Sequence, residues 1–516
     1  MTTARGRAAT TALAATCLLA IVGGAGAGHA TGRTTTALAW RPCPDAGDKE
    51  PAPAGLQCAT VAVPVDWTHP GTATVDLAIA RVPAADPHQR VGVLLVNPGG
   101  PGESGVDEVR QADQLLPGLR SRFDIVGFDP RGTNASAAVS CTPTIERRTA
   151  PTSQHQLDAF TATSRTVDDA CLARVGPLLV HMDTASVARD MDTIRQALGE
   201  QQISYHGVSY GTVLGQQYAQ AYPTRVRAMV LDSVVDHTDP WPVRVRDQVA
   251  AQEDTFHAFA GWCRTNPASA LRGHDCARVY DELLAHADKH PIPAPHSRTG
   301  NTVNGDDIAV FLFAVLPGQQ RWPDVTQALA QARAGDASII RTALDNDDEP
   351  DAVPPPTITP VRPPADTSGD DAHQAVLCDD WPMTLTSYTA ITAFETRMQE
   401  QAPRYETRIG ARLEYGAPTT SSFTQCAGWP TTPNPPTPIT GNRRPAILFI
   451  NHRYDLHTPY PGAVRVHHQF PQSRMVTYDA VGHVAYGTNA CVTTTADTYL
   501  TTGRLPHTDL SCRPGA

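Results

Sequence analysis

Residues 203–222 read ISYHGVSYGTVLGQQYAQAY, and no other stretch narrows the fold as much. An apolar, strand-forming run passes into a helix-forming run through Gly207-Val208-Ser209-Tyr210-Gly211. A strand that turns straight into a helix is half of a crossover unit. Repeated units of that kind build a parallel sheet covered by helices. Two more runs have the same character. VGVLLV (91–96) is closed by Asn97-Pro98-Gly99-Gly100-Pro101-Gly102, and FDIVGF (123–128) by Asp129-Pro130-Arg131-Gly132. Near-continuous apolar strands indicate burial on both faces. Further strands are predicted at 58–65, 75–82, 228–231, 446–450 and 475–478. Helices are predicted over 184–198, where Val187, Met191, Ile194 and Leu198 share a face, and over 213–222, ended by Pro223.

The strand–helix alternation breaks in the middle of the chain. From 237 to 436 the pattern is helical and loop-rich, and strand signals then return. The expected organisation is a core in two parts, 40–236 and 437–516, interrupted by a helical cap insertion over 237–436. Within the insertion, 344–371 is rich in Pro and acidic residues and poor in large apolar ones, and is expected to be a mobile loop. A length of 516 residues accommodates about one to three domains.

The N-terminus has export character. Arg5 and Arg7 precede an apolar run at 8–22, followed by GGAGAGHA. Residues 1–30 are expected to be a signal peptide cut after Ala27 or Ala30, and 31–39 a short propeptide. The run falls short of the roughly 20 residues a spanning helix needs, and no later stretch reaches that length. Cys17 lies inside the apolar run, where a core residue of the signal is preferred to a lipid-bearing cysteine. The other ten cysteines form an even set, as in exported chains. Sequence does not fix their pairing. Spacing suggests neighbours: Cys43–Cys58, Cys141–Cys171, Cys263–Cys276, Cys378–Cys426 and Cys491–Cys512. They are too dispersed, with no CxxC, for a zinc site. The net charge of −11 argues against a nucleic-acid partner. Of 41 basic residues only Lys49 and Lys289 are lysines.

Gly-x-Ser-x-Gly between a strand and a helix presents the serine on a sharp turn at the C-terminal sheet edge. Ser209 is the candidate nucleophile. A serine hydroxyl needs a base, and the base needs a group to orient it. Asp455 follows the strand at 446–450, and His483 follows the strand at 475–478, so both are expected at the same edge. Asp232, past the fourth strand, is the rival acid. His206, His452, His457, His467 and His468 compete less well, by position on a strand, beside the acid or on a helix. An oxyanion would be met by backbone N–H groups. The candidates are Tyr210, next after the nucleophile, and Gly100 in the glycine-rich loop.

NPGGPG, FDPRGT, GVSYGT, Asp455-x-x-Thr458-Pro459 and Gly482-His483 together resemble the secreted tripeptidyl aminopeptidase group, a branch of the prolyl-aminopeptidase-like α/β-hydrolases. The resemblance spans nearly all of 38–512. It implies an α/β-hydrolase core with a helical cap, and a serine peptidase removing short peptides from N-termini. Ser209, Asp455 and His483 match the family's triad positions; no metal or cofactor is implied. Two positions depart from the pattern: His452, where glycine is usual, and Val484, where a small residue is common.

The expected partners are peptides with free N-termini, and a monomer is favoured. The rival readings are a carboxylesterase with the same triad and, behind it, an inactive binding protein. An aminopeptidase must recognise an α-ammonium, which calls for a carboxylate about 10 Å from Ser209 for a tripeptide cutter. Asp379 and Asp380 are the favoured anchors, ahead of Glu253 and Asp254, because Cys378 and Trp381 beside them suggest a fixed setting.

Overall fold

The computed structural model describes residues 38–44, 52–141, 151–345, 368–381, 385–405, 423–424, 426–430, 434–435, 437–439 and 444–515. The expected signal peptide, Cys17, most of the propeptide and the centre of the 344–371 loop lie outside them. Among the described residues no helix is long and apolar enough to cross a membrane.

Ten strands form one sheet: β1 (Arg41–Pro42), β2 (Gln57–Pro64), β3 (Thr74–Val82), β4 (Gly92–Asn97), β5 (Phe123–Phe128), β6 (Ile203–Val208), β7 (Val226–Asp232), β8 (Leu448–Tyr454), β9 (Arg474–Val481) and β10 (Leu510–Cys512). Their spatial order is β1-β2-β3-β5-β4-β6-β7-β8-β9-β10. Every neighbour pair from β5 to β10 is parallel, while β1, β2 and β3 join by antiparallel pairing. β4 and β6 are buried at every residue, as their unbroken apolar runs required. Val93 and Leu95 of β4 enter one core cluster, Leu94 and Val96 the other, on the opposite face.

Strand order reverses at β4, whose partners are β5 on one side and β6 on the other. Asn97, the last residue of β4, pairs with Gly207 of β6. The glycine-rich loop and the Gly-x-Ser-x-Gly turn therefore leave the sheet side by side, at the kind of switch point where α/β sheets bind ligands.

Arg131, from the turn after β5, is fully buried and uses all five of its N–H groups. Nε and Nη2 reach both Asp190 oxygens on the Thr184–Ala197 helix, at 2.8 and 2.7 Å. Nη1 meets the carbonyls of Val65 and His181, and Nη2 that of Pro64.

The inserted helices build their own core around Phe256, Phe259, Tyr280, Phe313 and Trp322. The stretch expected as one insertion is nevertheless not one packing unit. In the Ser368–Asp380 helix, Ala372, Ala375, Val376 and Leu377 pack with the sheet core, and so does Trp381 just beyond it. Conversely, Leu157 of the Gln154–Val175 helix packs with the insertion. The insertion reaches the sheet edge through Gln319 Oε1, which accepts the Val481 N–H, and Gln248 Nε2, which donates to the His457 carbonyl. The ten cysteines pair as spacing suggested: Cys43–Cys58, Cys141–Cys171, Cys263–Cys276, Cys378–Cys426 and Cys491–Cys512.

Candidate active site

Ser209 sits between the end of β6 and the Gly211–Ala221 helix with φ +53°, the left-handed region that side chains rarely adopt. The turn is held by close approach. A Cβ on Gly207 would lie 2.5 Å from the Gly211 carbonyl oxygen, and one on Gly211 2.6 Å from that of Asn97. A Cβ on Gly99 would lie 2.5 Å from the Val208 oxygen. Glycine at these positions lets the β4 loop seat against the turn. The Gly99 N–H is taken by Asn97 Oδ1 at 3.1 Å. Among the described residues, neither the Gly100 nor the Tyr210 N–H has a hydrogen-bond acceptor.

Asp455 follows β8 and is fully buried. It accepts the His457 and Thr458 N–H groups, each at 2.9 Å, and the Thr458 hydroxyl at 2.9 Å. His483 Nδ1 lies 3.0 Å from both of its oxygens. An ionised carboxylate only accepts, so Nδ1 carries the proton and Nε2 is left as the base. Burial alone would raise the Asp455 pKa. The charge and hydrogen bond of His483, with His457 and the Thr458 N–H, outweigh it and hold the carboxyl well below its ordinary range. Burial alone would lower the His483 pKa. Asp455, with a smaller push from Asp232, outweighs that and holds it above its ordinary value.

Asp232, the rival acid, joins the two halves of the site instead. Its carbonyl accepts the Ser209 N–H at 2.9 Å. Its carboxylate accepts the N–H groups of Ala485 and Tyr486, just past His483. Burial pushes its pKa up to about 6 against the pull of those amides. Next to it, Ser233 Oγ accepts the Val484 N–H at 2.8 Å. Val484 has φ +66°, a strained position for a β-branched residue. Both roles put an aspartate at a strand end; strand order favoured a capping or loop-bonding role for Asp232, and these bonds are of that kind.

The other histidines divide by burial. His452 fills the place where glycine was expected: a Cβ on Gly482 would lie 2.7 Å from its Nε2, so the ring rests on that glycine. Burial lowers the pKa of both His452 and His206 to about 4, leaving them neutral. The His457 ring lies 4.9 Å from that of His483, edge to face.

Asp379 and Asp380 do not present a free carboxylate. Asp379 accepts from Trp429 Nε1 at 2.8 Å and from the Met182 N–H at 3.3 Å. Asp380 is fully buried and accepts the Thr184 N–H at 2.9 Å, the Thr184 hydroxyl and the Tyr210 hydroxyl. Burial drives its pKa far above the usual carboxylate range. Closed carboxyls filled by protein donors are not ammonium anchors, and that expectation is corrected. Glu253 is no better, being buried and paired with Arg404 at 2.8 Å; Asp254 is exposed.

A parallel sheet with a glycine-bounded serine turn, and an Asp–His pair at the same edge, defines a serine hydrolase of the α/β-hydrolase fold. The family model described as alpha/beta hydrolase fold matches residues 92–318, and that of the TAP-like protein matches 411–512. A tripeptidyl aminopeptidase of Streptomyces lividans is 32% identical over 484 residues, 90% of this chain and 85% of that protein. The serine protease Hip1 of Mycobacterium tuberculosis is 30% identical, covering 92% and 90%. A carboxylesterase B of the same species is 34% identical, covering 89% and 86%. The chain belongs to the tripeptidyl-aminopeptidase-like branch of the α/β-hydrolase serine peptidases.

Proposed function

We propose that this chain is an exported serine exopeptidase that releases short peptides, tripeptides foremost, from free N-termini. The carrying observation is the Asp455–His483 pair, tied through Asp232 to the strained turn bearing Ser209. Ser209 Oγ attacks the scissile carbonyl as His483 Nε2 takes its proton. The Gly100 and Tyr210 N–H groups, free of protein acceptors among the described residues, meet the oxyanion. Collapse expels the amine, protonated by His483, and leaves an acyl-enzyme. Water, deprotonated by the same imidazole, then hydrolyses the ester. Asp455 keeps the histidine in the working tautomer and steadies the imidazolium. Five disulfides fit an oxidising compartment.

The second reading, a carboxylesterase, draws on the relative of that name. Turnover of a free-amine tripeptide anilide, its N-acetylated form and a short acyl ester, measured side by side, separates the two. Preference for the free amine supports the peptidase; turnover of the ester alone replaces it with the esterase.

A further inference from the structure

A small cleft, part of it open to solvent, lies where the chain leaves the sheet for the insertion. Val234 and Val235 line it just past Asp232, and His457 and Thr458 line it just past Asp455. His457 connects it to the chemistry, since the same ring lies 4.9 Å from that of His483.

The cleft's charges are unevenly matched. Arg465 is shared by three carboxylates: Asp236 at 2.9 Å, Asp247 at 2.8 Å, and Asp239. The oxygens of two of them are filled. Asp236 Oδ1 also accepts the N–H and hydroxyl of Thr238, and Asp247 Oδ1 accepts from Arg246. Asp239 differs: its Oδ2 meets Arg465, and among the described residues its Oδ1 has no hydrogen-bond donor. Burial and the neighbouring Asp236 push its pKa up to about 6, so a cation placed there would be welcomed.

A second group in the cleft is also short of a partner. Arg244 is held against the rings of Trp381 and Trp241, 4.6 and 5.5 Å from their centroids. Its Nη1 is buried and has no hydrogen-bond acceptor among the described residues. A buried donor left unpaired is costly, so Nη1 calls for an acceptor from outside the protein, a water or an atom of a bound ligand.

One open acceptor on a carboxylate and one buried cationic donor are complementary to the end of a peptide, which carries an ammonium and, one residue unit along, a carbonyl oxygen. We infer that this cleft is the subsite for the substrate's N-terminus, with Asp239 taking the α-ammonium and Arg244 a carbonyl of the first residues. The inference rests on the peptidase reading and gives it a molecular ruler. Three residues of extended chain reach about 10 Å, so an amine held beyond His457 sets which bond meets Ser209. It also replaces Asp379 and Asp380, which are sealed.

The test uses binding as well as turnover. On the Ser209→Ala protein, calorimetry should find a free-amine tripeptide amide bound more tightly than its N-acetylated form. Adding Asp239→Asn should weaken the free-amine peptide about 10- to 100-fold, the scale of a lost charge-assisted hydrogen bond, and leave the acetylated one unchanged. In the Ser209 enzyme, Asp239→Asn should lower kcat/KM for the free-amine anilide by a similar factor and alter ester turnover less than twofold. Arg244→Gln gives up its stacking on Trp381 and Trp241 and should lower the unfolding temperature modestly; at a temperature where it stays folded, it should weaken the free-amine tripeptide about 5- to 10-fold. Equal losses on all substrates, or no preference for the free amine in binding, would overturn the subsite. Amine-selective binding without peptide turnover would leave the subsite standing and remove the peptidase reading.

Discussion

The sheet edge and the base of the insertion each bury an aspartate completely, and they treat it in opposite ways. Asp455 is ringed by the amides of His457 and Thr458 and by His483, a hydrogen-bond donor that becomes a cation when protonated, and these together keep it ionised. Asp380 is equally buried and accepts donors from Thr184 and Tyr210, but among the described residues no cation lies within ion-pair distance, Arg244 acting only from further off, and burial wins. At Asp380 the hydrogen bonds do not outweigh burial; at Asp455 hydrogen bonds and the charge of His483 together do. One aspartate is held toward the charged form beside His483; the other is pushed toward the neutral form and fastens the Ser368–Asp380 helix to Tyr210.

The contrast is open to attack by substitution. Ser209→Ala should remove turnover by about 10⁶-fold with the unfolding temperature unchanged, since only the hydroxyl is lost. Residual activity near that of the native protein would place the nucleophile elsewhere. Asp455→Asn should cost about 10⁴-fold in kcat. Asp380→Asn should cost less than about threefold, because an amide resembles a neutral carboxyl in shape. A larger loss at Asp380 or at Asp232 than at Asp455 would reverse the assignment.

The acid limb of kcat/KM should titrate above the ordinary histidine value of 6.5, because Asp455 holds the His483 pKa up and the base must be neutral. In the Asp455→Asn protein that limb should move down, since burial alone depresses an imidazole; a limb that stays put removes the pairing argument. The two aspartates should also split in stability. The depressed pKa of Asp455 gives stability above its unfolded value near 3.9, lost as pH falls through the folded one. The raised pKa of Asp380 gives stability at low pH that is lost as pH rises toward it. Thermal melts should therefore show Asp380→Asn gaining on the unsubstituted protein as pH rises above about 4, and Asp455→Asn trailing by a margin that is constant there and narrows only as pH falls below about 4. The smallest effect belongs to the strained loop: Val484→Asn should raise stability by about 0.5–1 kcal/mol by chemical denaturation, since asparagine tolerates left-handed φ.

The buried sheet was readable from the chain wherever apolar runs were continuous: β5 and β6 begin and end where FDIVGF and ISYHGV do. β10 was not, because it has three residues and only Cys512 of them is buried. The Gln154–Val175 helix buries just Leu157, Ser164, Asp168 and Cys171, too mixed a stripe to read as amphipathic. At the site, the candidates Ser209, Asp455 and His483 could be picked out because each stands at a strand end beside a motif. The cleft was not, since Asp239, Arg244 and Arg465 come from segments far apart in sequence whose charges read as solvated. The error at Asp379 and Asp380 has the same root: rigid surroundings were visible in Cys378 and Trp381, but not that protein donors had already filled the carboxyls.

Arg131 shows why the near absence of lysine from this chain is not a neutral matter of composition. Exchange of arginine for lysine is usually counted as conservative. At this position the guanidinium ends five bonds in three directions, and an ammonium has three donors on one atom. A lysine here would keep the charge opposite Asp190 and strand at least two carbonyls among those of Pro64, Val65 and His181, each at about 1–3 kcal/mol in a dry site. The join between the end of β2 and the Thr184–Ala197 helix thus depends on the shape of one cation rather than its sign, and this site should resist a drift in basic-residue usage that the exposed surface would absorb.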